Sequence, residues 1–305
     1  MKIAVPDLIS PSYLPAEAAV TLGFLAAEGI KADLELIAPV ERAYAEMRDG
    51  RVDIVAGSAH STLSAFPRWQ GAKLLCAQSQ GLYWFLVMRS DIGARRGDLS
   101  CVKGRRIGAA PWVGMAFRQL LAESGIDMQR DGVEIVPVPG SVGANVNIGV
   151  VAARALAERS IDGFWANGMG AEVAVRSGAG TLVIDARRGD GPKEAFHYTM
   201  ATLATTDRLI AERPQEAAGA IRAIVAAQRA LRDNAERAAE VGAALFPGEA
   251  EHIVALVRRD LPFYQAHLSP QFVAIMNRFA RNIGILDVDV PYDNVVATQF
   301  SALWS

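Results

Sequence analysis

The sequence predicts an α/β protein made of two similar parallel-sheet units and a helical C-terminal tail. Three observations carry the prediction. From Lys2 to Ala56 short apolar runs alternate with amphipathic ones, giving strand, helix, strand, helix, strand, an order that implies a parallel sheet with right-handed crossovers. The same order returns between Gly104 and Trp165. From Asp207 onward the apolar residues follow helical spacing.

Taken in order, Lys2 to Val5 reads as a strand and Pro6 to Pro15 as a loop. Ala16 to Glu28 reads as a helix stopped by Gly29, a common helix terminator. Ala32 to Ile37 alternates as a strand, Val40 to Arg48 is helical, and Asp53 to Ala56 is the next strand. Lys73 to Gln78 and the aromatic-rich Gly81 to Met88 add two more strands. The second unit runs through a strand at Gly104 to Ala109, a helix at Val113 to Ser124, a strand at Val133 to Val138, a helix at Ile148 to Arg159 and a strand at Ile161 to Trp165. Thr181 to Asp185 is a strand, Arg187 to Lys193 a charged loop, and Phe196 to Thr205 a long alternating run that returns to the first unit. Pro214 to Asn234, Ala235 to Ala244, Glu249 to Arg259, Gln271 to Ile283 and Val290 to Leu303 read as helices. Two short echoes support a repeated unit: Glu28-Gly29-Ile30 beside Ser124-Gly125-Ile126, and Gly50-Arg51-Val52-Asp53 beside Arg159-Ser160-Ile161-Asp162.

Composition sets limits. With 305 residues, 51% of them hydrophobic, the chain can bury a core without staples. A formal charge of -2 gives no electrostatic reason for a nucleic-acid or anionic-membrane partner. Cys76 and Cys101 stand far apart, in no metal or redox spacing, and read as buried free thiols. No uninterrupted apolar stretch is long enough for a membrane span. Met1 to Val5 already reads as a strand, with no export signal before it. The expected location is therefore cytoplasmic as written, and periplasmic if a leader has been trimmed.

The stretch Asp53 to Ser64 organises the functional reading. An apolar strand breaks at Gly57-Ser58 and passes into a polar segment carrying His60. A strand that runs directly into a helix places backbone N–H groups at the sheet's carboxyl edge, where open α/β sheets hold ligands and a helix start favours an anion. The other loops that follow strands offer Ser10, Ser12 and Tyr13, then Gln78 and Gln80, then Trp112, Val113 and Gly114, then Trp165 and Asn167. His197 lies on the return run. Together with Gly57, Ser58 and His60 these form the candidate ligand set, suited to hydrogen bonding and stacking on a small polar or aromatic molecule. Tyr13, Trp84, Trp112 and Trp165 suggest a planar ligand. The chain has no HExxH, GxSxG or Walker loop, and no GxGxxG after a strand. No cofactor and no metal is expected.

Four features resemble one family. They are the loop from Pro6 to Pro15 leading into Glu17-Ala18-Ala19, the turn Gly50-Arg51-Val52-Asp53-Ile54, the run Tyr198 to Thr206, and Glu212-Arg213-Pro214. With the order of elements, they are similar to the type II periplasmic binding proteins, in the branch of the alkanesulfonate, taurine and thiamine-pyrimidine-precursor binding proteins of ABC transporters. The resemblance implies two lobes, residues 1–83 plus 201–305 and residues 84–200. They would be joined by hinge strands at Trp84 to Met88 and Tyr198 to Ala204, with the ligand cleft between them. It implies binding of a small anionic, aromatic or heterocyclic molecule by hinge closure, without chemistry, and leaves room for an ABC permease as partner.

Gly50 to Leu63 is also similar to a stretch of the pyrimidine synthase of eukaryotic thiamine biosynthesis. That enzyme has a cysteine-rich segment where this chain has Glu194 to Tyr198, and a lysine where this chain has Gly57 and Ser58. The resemblance therefore stops short of that activity. Decarboxylases of aromatic diacids such as dihydroxyphthalate are further relatives. The alternative expectation is accordingly a cytosolic lyase or decarboxylase with His60 or His197 as proton donor.

Overall fold

The computed structural model describes residues 1–141 and 146–305. The chain opens with β1 (Lys2–Val5), α1 (Leu14–Thr21), a short α2 (Phe24–Ala27), β2 (Asp33–Leu36), α3 (Val40–Arg48), β3 (Ile54–Ser58) and β4 (Ala72–Ser79). It continues with β5 (Phe85–Arg89), β6 (Arg106–Gly108), α4 (Pro111–Glu123), β7 (Glu134–Val136), α5 (Ile148–Ala157), β8 (Gly163–Ala166), α6 (Gly168–Arg176) and β9 (Gly180–Asp185). It closes with β10 (Ala201–Thr206), α7 (Asp207–Glu212), α8 (Pro214–Asp233), α9 (Arg237–Leu245), α10 (Ala250–Asp260), α11 (Pro270–Asn282) and α12 (Tyr292–Val295). Among the described residues no helix is long and apolar enough to cross a membrane.

These elements form two compact units. Unit 1 is Met1–Gln80 with Thr199–Ser305, and unit 2 is Gly81–Tyr198. The chain passes between them at 80/81 and 198/199, where the sequence reading placed 83/84 and 200/201.

Unit 1 is built on a sheet of order β2-β1-β3-β10-β4. β1 pairs parallel with β2 and β3, while β10 runs antiparallel to both β3 and β4. Tyr44 and Met47 of α3, with Phe272, Val273 and Met276 of α11, cover one face through Ala4, Val55, Leu74 and Ala204. Ile3 and Val5 alternate to the other face and are equally buried, so the sheet is covered on both sides. There α1 and α8 pack on each other and on β4.

Unit 2 repeats this plan with the order β7-β6-β8-β5-β9. Strand β6 pairs parallel with β7 and β8, and β5 is the antiparallel insert against β8 and β9. Helices α5 and α6 cover one face through Phe85, Val87, Phe164 and Ala166. Trp165 alternates to the opposite face and stacks on Phe117 of α4, with ring centroids 5.2 Å apart.

The echo between the two aspartate turns has a structural cause. In unit 1 Lys2 N–H donates to Asp53 Oδ2 at 2.8 Å and Asp53 N–H returns a bond to Lys2 O at 3.0 Å. In unit 2 Arg106 N–H donates to Asp162 Oδ2 at 3.0 Å and Asp162 N–H returns one to Arg106 O at 2.9 Å. Asp53 ties the start of β3 to the start of β1, and Asp162 ties the start of β8 to the start of β6. Each also meets an arginine: Arg213 for Asp53, and Arg89 at 3.1 Å for Asp162.

Five expectations are corrected. The helix expected over residues 16–28 breaks at Gly23, whose φ of +80° leaves the helical region. The strand expected to stop at Ala56 runs on through Gly57 and Ser58, because β10 pairs with it across that stretch. The following segment, Ala59–Ser64, is a 3-10 helix and offers no α-helical start for an anion. The return strand begins only at Ala201, since Lys193–His197 forms a 3-10 turn. The last expected helix is interrupted at Val296, which leaves α12 to bridge Leu74 of β4, and a 3-10 segment follows over Thr298–Leu303. Both cysteines are free, with Cys76 buried and Cys101 half-buried.

Candidate functional site

The pairing registers gather the candidates of each unit at one sheet edge. In unit 1 the carboxyl ends of β1, β3 and β4 point the same way, and antiparallel β10 enters there, with Ala201 opposite Ser58 and Ser79. Ser10, Ser12, Tyr13, Ser58, His60, Gln78 and Thr199 thus belong to one edge, and all are buried.

The local bonds show what each group is doing. His60 is fully buried, with Nδ1 3.1 Å from Thr199 Oγ1 and its ring edge-on to Phe279 at 5.5 Å. The segment carrying it is pinned by Ala59 N–H donating to Met200 O. Ser58 Oγ and Ser61 Oγ lie 2.6 Å apart, and Tyr44 OH donates to Ser58 O at 2.9 Å. Gly57 gives that tyrosine room, since a Cβ there would sit 3.0 Å from the Tyr44 hydroxyl. Tyr13 caps the start of α1 and donates its N–H to Ser10 O.

The two glutamines hold the fold together. Gln78 accepts from Ala16 N–H at 3.3 Å and donates to Thr202 O at 3.1 Å, joining α1 to β10. Gln80 donates to Gln265 O and His267 O. The helical tail also supports this edge. Gln228 of α8 donates to Ala77 O and Gln78 O, and Tyr264 donates its hydroxyl proton to Pro11 O at 2.6 Å. The tail thus fixes the backbone that carries site loops.

In unit 2 the carboxyl ends of β6, β8 and β9 share an edge with the start of β5, where Phe85 lies opposite Ala166 and Asp185. Trp112, Val113 and Gly114 form the first turn of α4, with Gly114 N–H donating to Ala110 O. Asn167 caps α6 by accepting from Gly170 N–H at 3.0 Å. Trp165 turns into the core. His197 ends its 3-10 turn half-buried, edge-on to Phe196. Burial holds its pKa below the ordinary histidine value, against the smaller raising effect of Glu194.

Two charged residues were missed. Arg187 follows β9 and is only 4% exposed; it donates to Gly81 O at 3.2 Å and lies 5.9 Å from the Tyr83 ring centroid. Its segment reads in the sequence as a charged loop. Glu17 of α1 is completely buried. Its signal was available: one acid inside the apolar run Leu14 to Val20. Among the described residues no group of three or more histidine, cysteine or acidic side chains is placed to hold a metal.

No protein-family model matches the sequence, and no curated protein matches it. Solved structures do. The alkanesulfonate-binding protein SsuA of Xanthomonas axonopodis pv. citri, solved bound to MOPS, is 15% identical with a TM-score of 0.68, over 97% of each chain. The periplasmic nitrate-binding protein NrtA of Synechocystis PCC 6803 is 12% identical with a TM-score of 0.75, over 98% of this chain and 86% of its own. A cysteine-to-serine variant of DszB, solved with biphenyl-2-sulfinic acid, is 17% identical with a TM-score of 0.69, over 99% of this chain and 97% of its own. DszB is described as a desulfurization enzyme. Likeness at these identities carries fold and nothing finer. The chain therefore has the fold of the type II periplasmic binding proteins: two α/β units of one strand order, linked by two chain crossings.

Proposed function

We propose that this protein binds a small organic molecule as the solute-binding component of an ABC-type import system. The ligand is anionic, aromatic or heterocyclic, it is held by loops at strand ends, and no chemistry follows. One observation carries the reading. The carboxyl edge of the unit 1 sheet presents buried hydroxyls and one imidazole, and the imidazole meets the hydroxyl of Thr199. Such groups recognise a ligand by hydrogen bonds. A general acid needs its proton at working pH, and a lowered pKa removes it from His197 near neutrality. The names of SsuA and NrtA favour an anionic solute, for which the buried Arg187 guanidinium is a suitable partner.

The test is a thermal-shift screen against sulfonates, aromatic carboxylates and pyrimidines, with each compound's mass measured after incubation. A ligand at 100 times its dissociation constant adds about 2.7 kcal/mol of stability, which the screen resolves. A hit recovered unchanged supports a binding protein. A hit recovered lighter by carbon dioxide overturns the reading in favour of a decarboxylase on this fold.

A further inference from the structure

Unit 1 contains an acid that its fold does not use. Glu17 stands in the first turn of α1 and is 0% exposed. Neither of its carboxyl oxygens has a hydrogen-bond partner among the described residues. Its neighbours Leu14, Ala16, Ala18 and Ala19 are buried and apolar, so packing alone would be served by an apolar residue. Helical side chains lean back toward the helix start, which directs Glu17 to the loop after β1. Asp7 of that loop is close enough to act on it through its charge. Ser10 of the same loop is 1% exposed, and its hydroxyl also has no partner among the described residues. Buried polar groups in folded proteins are nearly always satisfied, and an isolated buried carboxylate is among the least tolerated. Two such groups in one loop-helix segment, beside the proposed ligand edge, mark a place where a ligand supplies the missing partners.

We propose that Glu17, with Ser10, takes a nitrogen cation of the bound molecule: an ammonium, an amidinium or a protonated amino-heterocycle. This rests on the ligand-binding reading above and narrows it. A carboxylate receives such a group through charge-assisted N–H···O bonds, while a ligand with only acidic groups gives it nothing. The proton count is part of the proposal. Burial, with Asp7 adding to it, raises Glu17 well above the ordinary carboxylate range and so toward the neutral acid in the free protein. An arriving cation favours the carboxylate, and the proton of the Glu17 carboxyl leaves to solvent.

The experiment uses matched pairs on the full chain: 2-aminoethanesulfonate against ethanesulfonate, 4-aminopyrimidine against pyrimidine, and benzylamine against benzyl alcohol. In at least one pair the nitrogen-bearing member is expected to bind about tenfold tighter or better. Its calorimetric enthalpy is expected to change between buffers of different ionisation enthalpy, in the sense of proton release. Glu17→Gln should erase both the preference and the proton release. Glu17→Met should melt no lower than the wild type and still lose the preference, which separates a ligand role from a structural one. Binding of the nitrogen-free members with equal affinity, unchanged in Glu17→Gln, overturns the inference and leaves the binding reading standing. Absence of binding by every compound overturns both.

Discussion

Asp53 shows how one carboxylate can hold two parts of the chain. It accepts the first strand's N–H and meets Arg213 at the junction of α7 and α8. Burial tends to raise its pKa, but the Lys2 N–H and the Arg213 guanidinium outweigh it, and the net value lies below the ordinary aspartate range. The side chains are 37% and 24% exposed, so solvent screening keeps the contribution modest. Asp53→Asn is expected to cost about 1 kcal/mol near pH 7. The sign follows from the depressed pKa. The stabilisation is present above the unfolded-state value and is lost as pH falls through the folded one. The gap between wild type and variant should therefore close below about pH 4, read as urea midpoints across pH. The residue lies at the amino edge of its sheet, away from the ligand edge, so ligand affinity should not change. A gap that persists at low pH would assign the effect to packing.

At the scale of elements, α5 and α6 meet through glycine. A Cβ on Gly170 would lie 2.5 Å from Gly149 O and 2.8 Å from Gly149 Cα, both backbone atoms that cannot swing aside. Gly170→Ala should therefore cost about 2–3 kcal/mol, while Gly248→Ala, with open space around it, should stay within about 0.5 kcal/mol. Thermal melting of the two variants decides the point; equal melting temperatures would mean that the two helices can slide apart freely. The elements themselves were largely legible. Lys2–Val5 and Val40–Arg48 fall on the residues that the apolar pattern marks, because the strand is a short apolar run buried on both faces and the helix buries one face. The misreadings arose where tertiary pairing decides. Gly57 and Ser58 look like a strand end, yet β10 pairs along them. Val296 looks helical, yet it bridges to Leu74. The site was legible only as a set of loops. Periodicity places Gln78 and Trp165 at a sheet edge, but which groups their side chains meet is set by residues far away in sequence. Examples are Thr202 for the glutamine and the Phe117 ring for the tryptophan. Glu17 escaped because one acid in an apolar run resembles an ordinary helix-start carboxylate.

For the whole molecule, the entry and exit of unit 2 lie side by side. Leu82 N–H donates to Phe196 O at 3.0 Å within unit 2, and Ser79 is paired with Ala201 within unit 1. Each unit has its own five-stranded sheet and its own core. Residues 81–198 expressed alone should therefore fold cooperatively. Residues 1–80 joined to 199–305 by a short Gly-Ser linker should do the same. Circular dichroism and single sharp urea transitions would bear this out, and a broad non-cooperative loss of signal in either piece would refute it. The strand order has one more consequence, which concerns synthesis. Among the described residues β4 has no neighbouring strand in its sheet except β10, more than 120 residues later in the chain. On the ribosome β4 emerges early and has nothing to pair with until all of unit 2 has followed it. Unit 2 holds every strand of its own sheet in one continuous segment. The nascent chain thus completes its middle first, and the beginning waits for the end.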